Sequence, residues 1–84
     1  MTVLSGSDPP SFKIKLTLTK GYDQESLNDI VNMAFSQCQI VSVLREREGT
    51  VLTYELLPNH ARVKQMAMET AEFYAHGKWQ VEEV

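Results

Sequence analysis

Between Asp23 and Val43 the chain changes its apolar period almost without pause, and no other feature limits the fold so tightly. In DQESLNDIVNMAFSQCQIVSV, Leu27, Ile30, Val31, Ala34, Phe35 and Cys38 fall at offsets of three, four, seven, eight and eleven. That is the spacing of one buried helical face. Asp23 stands where a carboxylate can accept from the unpaired amides of the first turn, and Tyr22 and Leu27 have the spacing of a hydrophobic staple. From Gln39 the residues Ile40, Val41 and Val43 are β-branched, which suits a pleated surface and crowds a helix. A capped helix is therefore expected to run into a strand with almost no loop between them.

The segments on either side supply partners. Phe12 to Thr19 alternates, with Phe12, Ile14, Leu16 and Leu18 on one side and Lys13, Lys15, Thr17 and Thr19 on the other. Gly21 permits a sharp turn into the helix. Arg45 to Thr50 is charged and holds Gly49, and Val51 to Leu57 resumes a strand, so a hairpin is predicted with Gly49 at a positive φ. On that strand Leu52, Tyr54 and Leu56 are assigned inward, and Val51, Thr53 and Glu55 outward. Pro58 stops the strand and Asn59 is placed to cap a second helix with Val63, Met66, Ala67, Thr70, Phe73 and Tyr74 on its inner side. His76 and Gly77 end it, and Trp79 and Val81 face inward from a short last strand.

The order βαββαβ predicts an α+β, ferredoxin-like sandwich: a four-stranded antiparallel sheet with two helices on one face. The first and third strands are expected at the centre and the second and fourth at the edges. Residues 1–11, with Pro9 and Pro10, read as a flexible lead-in, and residues 12–84 as a single domain. Eighty-four residues suffice for one core and no more.

Composition narrows the class. The chain is 43% hydrophobic and 23% charged, without an apolar run of the roughly 20 residues that span a bilayer, so no membrane insertion is expected. MTVLSGSDPP lacks the basic and apolar regions of a secretion signal, which points to a cytoplasmic protein. Cys38, the one cysteine, rules out an internal disulfide, and its place on the apolar helix face reads as core. His60 and His76, at opposite ends of the second helix and roughly 24 Å apart at the helical rise, cannot share a metal. No catalytic residue, metal site or cofactor is expected, and the chain reads as a non-enzyme.

The uncovered sheet face would carry Lys13, Lys15, Thr17, Thr53 and Glu55. REGTVLTY lacks the exposed aromatics on which RNA-binding sheets stack bases, and Tyr54 belongs to the core side. A nucleic-acid-binding accessory protein would have to use Lys13, Lys15, Arg45 and Arg47, and two lysines meeting phosphates give a salt slope of only about −1.4. The net charge of −3 does not favour that alternative.

GYDQESLNDIVNMAFSQCQIVSV resembles the strand-loop-helix-strand half of ACT-type regulatory domains, with a leucine-led helix, a short turn and an I-x-S-V second strand; the likeness covers residues 12–45. It implies a non-catalytic module that dimerises through sheet edges or helices and binds an amino acid or similar small ligand near the first loop. Carried onto this chain, that loop is Lys20, Gly21, Tyr22, Asp23 and Gln24. KGYDQ departs from the family's acid-arginine-proline-glycine loop. The function expected is binding or regulation through a protein partner or a second copy, with a small ligand at this loop.

Overall fold

The computed structural model describes residues 10–21 and 24–84. Strand β1 (Phe12–Leu18) leads to helix α1 (Gln24–Asp29), which widens into a π turn over Ile30–Ala34. Strand β2 (Cys38–Glu46) and β3 (Val51–Pro58) are joined by a 3-10 turn at Arg47–Gly49, and α2 (Val63–Ala75) precedes β4 (Trp79–Glu83). All pairings are antiparallel in the order β2-β3-β1-β4, so the expected ferredoxin-like sandwich and its central and edge strands are found.

Alternation in β1 and β3 builds the floor of the core. Ile14 lies opposite Tyr54, Leu16 opposite Leu52 and Phe12 opposite Leu56, and all six are buried. Ile30, Ala34 and Phe35 close down from the first helical segment, and Ala67, Ala71 and Ala75 from α2. Ile14, Leu16, Ile30 and Leu56 are fully buried, each contributing about 1.5–3 kcal/mol of apolar transfer. Phe35 and Tyr54 meet with ring centroids 5.2 Å apart at 52°, a tilted contact worth about 0.5–1.5 kcal/mol beyond area.

Four expectations about single residues are corrected. Cys38 is the first residue of β2, half-buried against the core, because the turn at Ser36 and Gln37 ends the helix before it. Val51 is buried although it sits on the outward side of β3 opposite Thr17. Asn59 does not cap α2: its amide donates to the Gln37 carbonyl, the His60 carbonyl accepts from Val63, and the helix starts four residues later. His60 therefore lies outside the helix, and its Nδ1 accepts from the Arg62 amide at 3.3 Å.

The inner face of α2 is also rotated. Val63, Ala67, Ala71 and Ala75 face the sheet, whereas Met66 and Phe73 are exposed, Phe73 to 70%. Side chains of one methyl group let the helix lie close to β4 and to the π turn, where larger residues would force it away. At its end His76 takes the left-handed conformation (φ 53°) and Gly77 follows at 74°. Tyr22 and Asp23, hence the expected staple and cap, fall outside the described residues.

Candidate functional site

The two sheet edges differ in kind. β4 is a five-residue strand ending in Glu82 and Glu83, the latter tied to Lys64 of α2 at 2.6 Å. Short, charged edges discourage further pairing. β2 has nine residues, eight of them exposed, and carries no charge or proline from Cys38 to Leu44. Register puts Ile40 and Val43 on the helix side, opposite Leu56 and Tyr54, and Leu44 on the open side, opposite Thr53. Ile40 is nevertheless 40% exposed and Val43 44%, so the helices stop short of β2. Leu44 is 56% exposed on the other face and Val41 51%. Pairing shifts by one residue between Ile40 and Ser42, a bulge that leaves Val41 without an opposite number.

The β2–β3 tip turns over a cavity on the helix side of the sheet. Arg47 (φ 52°), Glu48 (φ 59°) and Gly49 (φ 88°) are all left-handed, and Thr50 closes the turn with its amide and hydroxyl both donating to the Arg47 carbonyl. The cavity beneath measures about 330 Å³. Its apolar wall comes from Leu18, Leu27, Val43, Leu52 and Trp79, and its polar groups from Gln24, Arg45, Glu48 and Thr50. Arg45 shares the helix side with Leu52. A Cβ on Gly49 would stand 3.0 Å from an Arg45 guanidinium nitrogen, so the glycine makes room for that cation at the tip. Burial pushes the Tyr54 phenol, which also lines the cavity, above its ordinary value, and the Arg45 charge pulls it back in part.

The residues expected to meet nucleic acid are divided. Lys13 and Lys15 lie on the open face, opposite Glu55 and Glu82, with Arg47 at the tip and Arg45 on the helix side. Lys15 and Arg47 do share one depression of that face, with Glu46, Thr17 and Thr50. Glu55 accepts hydroxyls from Ser42 at 3.3 Å and Ser11 at 3.4 Å. Of the first loop, Lys20 and Gly21 (φ 67°) are exposed, and Gln24 begins α1, donates to the Asn28 side chain at 2.9 Å and reaches the cavity wall. Tyr22 and Asp23 are not among the described residues.

His60 and His76 sit in turns on either side of α2, His76 with its ring 6.4 Å from those of Phe73 and Tyr74. Among the described residues no group of three or more metal-ligating side chains converges, and no helix is long and apolar enough to cross a membrane.

From the sequence, pairing was expected along the exposed sheet edges without a choice between β2 and β4, and Gln24 and Arg45 were candidates for separate sites, not for one cavity. The edge had a signal: Ile40-Val41 and Val43-Leu44 are adjacent apolar pairs, which a half-buried strand of strict alternation does not carry. The cavity had none, since its walls come from five separate elements and turns. No protein-family model, curated protein or solved structure matches this chain.

Proposed function

We propose that the chain is a non-catalytic binding module that acts by strand pairing along β2, with a second copy as its partner. One observation carries this reading: a nine-residue edge with Ile40, Val41, Val43 and Leu44 exposed and no charged residue before Arg45. An edge strand offers a row of unpaired amides and carbonyls, and antiparallel pairing about a two-fold axis presents the same patch to itself. Two four-stranded sheets would then join into one of eight strands, covering apolar groups on both faces. The ACT-like rhythm of residues 12–45 is compatible with this mode, as the resemblance implies pairing through sheet edges or helices. A cytoplasmic setting suits the lone thiol of Cys38, which a reducing compartment leaves unpaired.

Sedimentation velocity over a range of concentrations tests it. The parent protein is expected to dimerise, and more firmly as salt rises, because two copies of net charge −3 repel at long range. Val41→Lys and Leu44→Lys, at positions more than half exposed and outside the cavity, where a substitution costs the fold about 0.5 kcal/mol or less, are expected to give monomers. A parent that stays monomeric throughout, with its β2 amides exchanging freely, overturns self-pairing. Retention on single-stranded RNA that fades with salt would instead favour the cations Lys13, Lys15, Arg45 and Arg47.

A further inference from the structure

We propose that the cavity under the hairpin tip binds a small amphipathic monocarboxylate, its carboxylate on the Arg45 guanidinium and its apolar part against Leu27, Val43, Leu52 and Trp79. The site is on the helix side of the sheet and needs no pairing along β2, so this inference and the dimer stand or fall separately.

At about 330 Å³ the cavity lies at the lower end of the volumes that ligand sites occupy, and it has their usual make-up of an apolar wall with a few polar groups. Arg45, Glu48 and Thr50 lie on the tip side, and the wall from Leu27 to Trp79 is apolar apart from Gln24 at the start of α1. A ligand charged at one end and apolar at the other matches that division. The flat, forked guanidinium pairs with both oxygens of a carboxylate, and Gly49 leaves the space in which it lies. Among the described residues, no carboxylate forms an ion pair with Arg45. Glu48 lies in the same lining and opposes every added negative charge, so a ligand carrying one such charge is opposed less than one carrying two. A monoanion is therefore preferred over a phosphate dianion.

Trp79 is the chain's one tryptophan and lines the cavity, so its emission reports on occupancy directly. The full chain is titrated with hexanoate, hexanamide, acetate and hexyl phosphate, following Trp79 emission and amide shifts together. Hexanoate is expected to give saturable changes centred on Gln24, Val43, Gly49, Leu52 and Trp79. Hexanamide, lacking the charge, and acetate, lacking the tail, are expected to bind about tenfold more weakly or worse. Arg45→Gln should lower hexanoate to the hexanamide level, and Arg45→Lys, which keeps the charge and loses the fork, should fall between. Absence of saturation by hexanoate overturns the site. Equal binding of hexanoate and hexanamide, or an unaltered Arg45→Gln, overturns the role of Arg45, and tighter binding of hexyl phosphate overturns the ligand class.

Discussion

Arg47 and Glu48 hold a backbone conformation that costs a residue with a Cβ about 1–2 kcal/mol, and they do so in succession before Gly49. Glu48→Gly removes that cost and adds back about 0.5–1 kcal/mol of unfolded-chain entropy, so a net gain of about 0.5–1 kcal/mol is expected from urea unfolding. Gly49→Ala acts the other way: at φ 88° its methyl is strained and stands against the Arg45 guanidinium, and a loss of about 1–2 kcal/mol is expected in the same assay. Gly49 was legible in the sequence, because a charged run ending in glycine between two strands demands a positive φ somewhere. Arg47 and Glu48 were not legible, because nothing in either side chain asks for a left-handed backbone; the short connection between β2 and β3 imposes it. Arg45 was picked out as a cation for nucleic acid, but its place above the cavity depends on the strand register and on the missing Cβ of Gly49, neither visible from its identity.

At the scale of the element, α2 shows where periodicity runs out. Its apolar residues nearly encircle it, since Val63, Met66, Ala67, Met68, Ala71, Phe73, Tyr74 and Ala75 leave no polar half, and a pattern weighted by size chooses Met66 and Phe73. The sheet chooses the alanines, which allow close approach. Ala71→Leu is accordingly expected to cost about 1–3 kcal/mol by overpacking, and Phe73→Ala within about 0.5 kcal/mol of nothing, as thermal unfolding of the two variants would show. β1 was legible because its two faces differ in chemistry at every step. β2 was legible as a strand, though its unguarded edge was not, since exposure there depends on where the helices come to rest.

For the whole molecule, the element order alone led to the sheet order, since few topologies accommodate two βα halves and a hairpin. Stability against pH is a property at this scale, and two acids report on it. Burial raises the Cys38 thiol above its ordinary 9.0 and the Tyr54 phenol above its ordinary 10.0. Both are neutral when protonated, so the folded chain keeps its protons to higher pH than the unfolded one, and the stability they lend is full below pH 9 and lost as pH rises through the folded values. Denaturant unfolding is expected to show a plateau giving way to a decline above about pH 9, with Cys38→Ala and Tyr54→Phe each flattening part of it.

The pairing of β1 with β4 sets Ile14 opposite Glu83, nearly the full length of the described chain away. As the chain folds, the β2–β3 hairpin can form from neighbours and β3 can then reach β1, but the second edge of β1 has no partner until residues 79–83 dock on it. For that interval a strand carrying Ile14, Leu16 and Leu18 stands open to other unfolded chains. Lys13 and Lys15, spaced along it, are charges of the kind that make a foreign strand a poor substitute for the proper one.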